Sequence, residues 1–225
     1  MCNIGCLLFC FRSLTPDSVR GRRVLEAGSA NVNGGVRAAL QRWEPAEYVG
    51  IDIAPGKNVD LVCSIEDIPE QFGANSFDVV ISTEVLEHIR DWKTAVRNLK
   101  YVLKPGGQLL LTTRSYGMRY HGYPQDFWRF EDEDFQRIFA DMDILALEKD
   151  TDLPGIMISA RKVTGATEVA LDDILIYSIV SGAKRASVLD SDLRGRHFRR
   201  LLRRERLCSY LERLYYRVLN VVRIY

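Results

Sequence analysis

Short apolar runs alternate with amphipathic stretches, and this alternation constrains the chain more than any other feature. Arg23-Val24-Leu25-Glu26-Ala27-Gly28 is an apolar run closed by glycine. It reads as a buried strand entering a tight turn. Residues 33–43 then carry Val36, Ala39, Leu40 and Trp43 at helical spacing. Further strands read at 47–53, 58–63, 76–82 and 108–113, with a final pair at 144–148 and 156–162. Residues 91–103 place Trp92, Ala95, Val96, Leu99 and Val102 on one helical face behind the N-cap residue Asp91, and Pro105-Gly106-Gly107 ends that helix. Another helix reads at 131–139. Strands and helices in turn predict an α/β fold with a largely parallel sheet. The 225 residues are 47% hydrophobic, enough for one substantial core and too apolar for a disordered chain.

In such a sheet, ligands sit at the carboxyl ends of the strands, where the strand order reverses. After the first strand come Gly28-Ser29-Ala30-Asn31-Val32-Asn33-Gly34-Gly35, small residues that let backbone approach a ligand. The second strand ends in Asp52, 24 residues beyond Gly28. A carboxylate there accepts hydrogen bonds from ribose hydroxyls, so loop and acid together point to a nucleoside-containing cofactor.

Four ordered segments carry a family resemblance. They are Val24-Leu25-Glu26-Ala27-Gly28, Tyr48-Val49-Gly50-Ile51-Asp52, residues 76–88 ending Thr83-Glu84-Val85-Leu86-Glu87-His88, and Leu103-Lys104-Pro105-Gly106-Gly107. Together they resemble the class I S-adenosylmethionine-dependent methyltransferases. The resemblance implies a Rossmann-like, doubly wound, mostly parallel seven-stranded sheet with the last strand inserted antiparallel. It implies that Glu26 and Gly28 lie near the methionine moiety, that Asp52 binds the ribose and that Ile53 packs on the adenine. Thr83 and Glu84 are expected beside the cofactor. The chain departs from the family loop at Ala30 and Val32, so Asn31, Asn33 and Gly34 are expected to supply its polar and backbone contacts. Ser64 stands where many relatives place an aspartate toward the adenine amine, leaving that contact to its hydroxyl or to the backbone beside Ile65. No metal-ligating cluster is legible in the body, and transfer from a sulfonium requires no metal.

The acceptor side is expected at residues 114–130, a long loop dense in aromatics, arginine, one histidine and one aspartate. It also resembles the His-Gly-Tyr-Pro and Asp-x-Trp-Arg-Phe segment of some bacterial and archaeal members of the family. His121 is a candidate base, Tyr123 a shaping or hydrogen-bonding group and Arg129 an anion clamp, against the alternative of a packed aromatic cluster in which Asp126 and Arg129 simply pair. Trp128 and Phe130 read better as packing, and His88 as structural.

Charge divides the chain. Residues 1–183 hold 19 Lys and Arg against 26 Asp and Glu, a net of −7, whereas 184–225 hold 12 against 4, a net of +8. Residues 1–20 read as a helical segment over the cofactor site, 21–163 as the cofactor-binding domain and 164–225 as a basic helical extension. Within the extension, 181–196 read as a linker and 199–225 as one helix with Leu207, Leu211, Leu214, Val218 and Val221 in a stripe. Truncation after about residue 165 is therefore expected to spare cofactor binding. The stripe and its arginines suit a second subunit or an anionic membrane surface. Nucleic acid is disfavoured because no aromatic platforms interleave with the arginines. Cys2, Cys6 and Cys10 recur every four residues and read as part of a buried apolar stripe with Ile4, Leu7 and Phe9. Five cysteines without a secretory pattern predict reduced thiols in a cytoplasm, and the opening residues do not read as a signal peptide. The function expected is methyl transfer to a small molecule or a glycan- or lipid-linked precursor. The alternatives are a non-catalytic cofactor-binding scaffold of the same fold and a nicotinamide-dependent oxidoreductase. The segment from Thr83 to His88 and the irregular glycine loop speak against the latter.

Overall fold

The computed structural model describes residues 3–31, 34–122 and 124–222, the side chains of 216–222 excepted. Cys2, Asn33, Tyr123 and the stripe positions Val218 and Val221 lie outside what it describes. In chain order the elements are α1 (Ile4–Ser13), α2 (Pro16–Val19), β1 (Arg23–Ala27), α3 (Arg37–Leu40), β2 (Glu47–Asp52) and β3 (Leu61–Val62). There follow α4 (Ile68–Phe72), β4 (Phe77–Thr83), α5 (Trp92–Val102), β5 (Leu103–Arg114) and β6 (Trp128–Arg129). The chain ends with α6 (Asp132–Ile138), β7 (Met142–Lys149), β8 (Gly155–Lys162), β9 (Ile176–Ser178), β10 (Ala183–Arg185), α7 (Asp190–Leu193) and α8 (Arg196–Val222).

Seven strands form one sheet in the order β3-β2-β1-β4-β5-β8-β7. Pairing is parallel from β3 to β5, and β8 is inserted antiparallel between β5 and β7. The expected seven-stranded, mostly parallel sheet is therefore present, and its order reverses between β1 and β4. The central strands are continuous apolar runs because both faces are covered. Alternate residues serve opposite faces. Val24, Val79, Ile81 and Leu110 meet Cys6, Phe9 and Cys10 of α1 on one face. Leu25, Val80, Leu109 and Leu111 meet Trp92, Ala95, Val96 and Leu99 of α5 on the other. Asp91 caps α5 as expected, accepting from the Thr94 amide at 3.2 Å.

Several expectations are corrected. The helix read at 33–43 is only α3 and a 3-10 turn at Gln41–Trp43. Gly34, at φ 109°, lies outside the helix, which begins at Arg37, and Glu44, at φ 54°, closes the 3-10 turn. The strand read at 58–63 shrinks to β3. Ile4 is 70% exposed rather than part of the α1 stripe, whereas Cys6 and Cys10 are buried. The segment read as a linker holds β10 and α7, with β9 and β10 joining β6 in a second, three-stranded sheet. A boundary at residue 164 falls inside the packed body. Leu171, Ile174, Ile176, Ile179, Val180, Val188 and Phe198 are all buried in the same cluster as α5. Among the described residues no helix is long and apolar enough to cross a membrane.

Candidate active site

The loop between β1 and α3 folds back on β2, since the amides of Gly28 and Ser29 both donate to the Ile51 carbonyl at 2.9 Å. This places Asp52 across from the loop at the strand-order reversal. Its Oδ2 accepts from the Ala30 amide at 3.2 Å and its Oδ1 from the Ala54 amide at 3.4 Å, and the carboxylate stays half-buried. Ile53, the next residue, is 64% exposed. Ser64 is half-buried and its hydroxyl accepts from the Glu66 amide at 3.2 Å. Ile65 is buried, its carbonyl fixed by the Asn98 side-chain amide at 3.0 Å. Asn31 Oδ1 caps the Gly34 amide at 2.8 Å. A reachable carboxylate, an uncovered apolar side chain and a serine along one strand-end edge fit a ribose diol and the flat adenine beyond it.

The positions expected at the methionine end behave differently. Gly28 lies at φ 86°, and a side-chain carbon there would come within 2.1 Å of Val85 Cγ2. Glycine is required by Val85 and by the backbone, rather than to admit a ligand. Glu26 is 4% exposed and accepts from the Tyr48 hydroxyl at 2.8 Å. Burial pushes its carboxyl up to about 7, against the Tyr48 hydrogen bond and the charge of Arg37. The folded state therefore favours the neutral acid. Its stabilising contribution is complete below about pH 4.5, the ordinary value, and is lost as pH rises through 7. Glu26→Gln should flatten the fall in stability between those limits, with roughly 3 kcal/mol at stake from the shift. Urea midpoints of both proteins across that range check this, and parallel curves would contradict it.

Glu84, expected beside the cofactor, points into the interior. Its backbone is left-handed at φ 59°. Its carboxylate accepts from Thr112 Oγ1 at 2.9 Å and Cys6 Sγ at 3.4 Å and pairs with the Arg114 guanidinium. Arg114 also reaches Asp150 at 3.4 Å, and Asp150 accepts from the Asn3 side chain at 2.6 Å. This buried network latches α1 over the ends of β4 and β5. Of the two residues expected beside the methyl donor, Glu84 is thus withdrawn into this network, and Thr83 is half-buried at the end of β4.

Arg129 is not an anion clamp, because its donors are fully committed within its own loop. Nη1 and Nη2 hold the Asp126 carboxylate at 2.5 and 2.7 Å, and the rest go to the carbonyls of Met118, Arg119 and Trp128. The side chain is 1% exposed, and it ties Met118 and Arg119 to Asp126. Trp128 and Phe130 are buried packing residues, as expected. His121 Nδ1 lies 3.0 Å from Asp126 and Nε2 lies 3.5 Å from Glu87. Burial opposes its charge, but the two carboxylates outweigh it and raise the imidazole to about 9. At neutral pH it is thus an imidazolium and not a free base. The same pairing with His121, helped by His88, overrides burial and holds Glu87 well below the usual carboxylate range.

His88 meets the Gln125 carbonyl through Nδ1 at 2.5 Å, the local structural bond expected of it. Its Nε2 lies 3.8 Å from Glu87 Oε1, so Glu87, His88 and His121 converge although the sequence reading found no such cluster. Arg119 in turn ties the loop to α8 through Glu205 at 2.9 Å and Glu212 at 2.6 Å. Glu87, Asp150 and the Arg119 partners were missed by sequence reasoning. Only the Glu87-His88 dipeptide carried a visible signal.

Comparisons with known proteins bear on the fold and the reaction class. Residues 25–111 match the family model described as a methyltransferase domain. A ubiquinone biosynthesis O-methyltransferase of Idiomarina loihiensis is 32% identical over 111 residues, 43% of this chain and 44% of that protein. The enzyme of the same name from Xanthomonas axonopodis pv. citri is 36% identical over 107 residues, 41% of this chain and 43% of that protein. The chain thus spans less than half the length of these curated relatives. Among solved structures, a Burkholderia thailandensis 1,6-didemethyltoxoflavin-N1-methyltransferase with bound S-adenosylhomocysteine superposes with a TM-score of 0.53 at 15% identity, covering 64% of this chain and 72% of that one. The [4+2]-cyclase SpnF superposes at 0.52 and 17% identity, covering 65% and 76%. Residues 25–111 thus resemble a methyltransferase domain in sequence, and the chain shares the fold of these solved structures.

Proposed function

We propose that the chain transfers a methyl group from S-adenosylmethionine to a hydroxyl-bearing small molecule or lipid-linked precursor. The observation that supports this is the Asp52–Ile53–Ser64 edge at the carboxyl ends of the parallel strands, the end of the sheet at which the segment following β5 also begins. The bound cofactor supplies a methyl on a positively charged sulfur, already activated for displacement. Asp52 would hold the ribose, Ile53 the adenine face and Ser64 the amine edge. Thr83, at the end of β4, would border the transferring end. The Arg129–Asp126 pair keeps the acceptor loop in one conformation, so that an acceptor lone pair is aligned instead of searched for. The matched O-methyltransferases support oxygen as the acceptor atom.

Helix α8 borders this loop, with Phe198 edge-on to Tyr120 at 5.6 Å. Its opposite face exposes Arg199, Arg200, Arg203 and Arg204, then Leu207, Leu211 and Leu214. That face is proposed to rest on an anionic membrane surface or a second copy of the chain, beside the acceptor loop. Because a cyclase shares the fold, transfer itself must be measured. Cell extract is incubated with the chain and methyl-labelled donor, and label is sought in extractable small molecules or lipids. Stoichiometric S-adenosylhomocysteine is the expected co-product. Donor binding without label transfer, in every extract fraction tried, would favour the scaffold alternative.

A further inference from the structure

We propose that Arg37, the first residue of α3, is a positioning residue that sets the two rims of the nucleoside site before any ligand arrives. One rim is the loop leaving β1, which carries Ala30 and Asn31, and the other is residues 53–60, which leave β2 behind Asp52. The rims are joined to each other. The Lys57 carbonyl accepts from the Asn31 amide at 3.0 Å, and Asp52 Oδ2 accepts from the Ala30 amide at 3.2 Å. The inference deepens the cofactor reading and rests on it only for what the rims hold.

Arg37 holds the second rim from behind. Its Nη1 donates to the Asn58 carbonyl at 2.7 Å and to Asp60 Oδ2 at 2.6 Å, and its Nη2 donates to Asp60 Oδ1 at 3.0 Å. A planar guanidinium takes both carboxylate oxygens and a carbonyl in one fixed geometry, which an ammonium does not. The guanidinium is itself held in place, 5.0 Å from the centre of the Tyr48 ring, whose hydroxyl donates to Glu26. Its target is shaped to meet it. Asn58 is left-handed at φ 74°, a conformation asparagine adopts more readily than most residues. Asp60 is stitched to β2, accepting from the Gly50 amide at 2.7 Å and donating its own amide to the Gly50 carbonyl at 2.8 Å. Burial opposes the Asp60 charge, but the Arg37 hydrogen bonds, the Gly50 amide and the Arg37 charge hold its carboxyl below the usual range. The pair is therefore ionised at neutral pH. Without this fork, part of the ordering of residues 53–60 would be deferred to ligand binding and subtracted from affinity.

Two measurements on the full chain test this. The first uses no ligand and follows amide hydrogen exchange in the wild type, Arg37→Ala and Arg37→Lys. The Asn31, Gly50 and Asp60 amides should exchange roughly tenfold faster or more in Arg37→Ala, while those of β4 and β5 keep their rates. Arg37→Lys, which keeps the charge but not the fork, should fall between. The second is calorimetric titration with S-adenosylhomocysteine and with methylthioadenosine, which lacks the amino-acid end. Arg37→Ala should weaken both by the same factor, roughly tenfold or more, because the rims hold the nucleoside common to the two. Asp60→Ala should reproduce the loss, and the double variant should add little to it. Unchanged exchange at Asn31 and Asp60 in Arg37→Ala would overturn the positioning role. So would faster exchange spread equally over β4 and β5, equal affinity for both ligands, or a loss confined to S-adenosylhomocysteine. A wild-type chain that binds neither ligand would remove the cofactor reading, and the exchange result alone would then decide the role of Arg37.

Discussion

Cutting the chain after residue 165 is expected to leave a polypeptide with no cooperative unfolding transition and no cofactor affinity. The removed segment carries Leu171, Ile174, Ile176, Ile179, Val180, Val188 and Phe198, each less than 9% exposed against the main core. At about 1.5–3 kcal/mol for each buried side chain, the gross loss is of the order of 10–20 kcal/mol. The ordering entropy of the deleted residues offsets part of it. Even so, the remainder is comparable to the whole stability of a domain, about 5–15 kcal/mol. The cut also removes β9, the partner of β6, and so exposes the strand that holds Trp128 and Arg129. A cut after residue 204 keeps every one of those side chains and removes the Glu205 and Glu212 contacts to Arg119. That shorter truncation should unfold cooperatively. Differential scanning calorimetry of both separates the cases, and a cooperative transition in the chain ending at 165 would contradict the packing described.

Arg129→Ala should destabilise the fold by about 3–5 kcal/mol, the cost of taking the guanidinium from a buried carboxylate that then keeps only His121 among its described partners. Asp126 is fully buried and takes two hydrogen bonds from this guanidinium. The loss is not the worth of the pair, because two buried charges and their desolvation nearly cancel. Accordingly, Arg129→Met combined with Asp126→Leu should cost clearly less than Arg129→Ala alone. Urea denaturation of the two variants provides the comparison. A cost below about 1 kcal/mol for Arg129→Ala, in the range of a surface pair, would return Arg129 to the role of a ligand clamp.

The body of the fold was legible because its strands are buried on both faces. Val79-Val80-Ile81 and Leu109-Leu110-Leu111 leave little choice of structure, and Gly28 with Asp52 marks the end at which a ligand sits. The extension was misread for a physical reason. β9 and β10 are three residues each, and β10 is exposed along its length, so neither shows a period. Arg129 was misread because a guanidinium in an aromatic loop looks the same in sequence whether it faces a ligand or an aspartate three residues away. Glu84 was displaced from the cofactor by partners 28 and 78 residues distant, Thr112 and Cys6, which no local pattern reveals. The convergence of His88 and His121 likewise depends on Gln125 and Asp126 folding the loop back onto β4 and β5.

The cofactor edge is tested most directly by isothermal titration of the full chain with S-adenosylmethionine, beside Asp52→Ala. The wild-type chain should bind one molecule. The variant should bind it more weakly by about 1.5–3 kcal/mol, the worth of a hydrogen bond to a charged group, or roughly ten- to 150-fold in affinity. Its urea midpoint should stay close to that of the wild type, since Asp52 is half-exposed and, among the described residues, its carboxylate is bonded to two loop amides. No binding by the wild-type chain, or equal affinity in the folded variant, would contradict a nucleoside held at the end of β2.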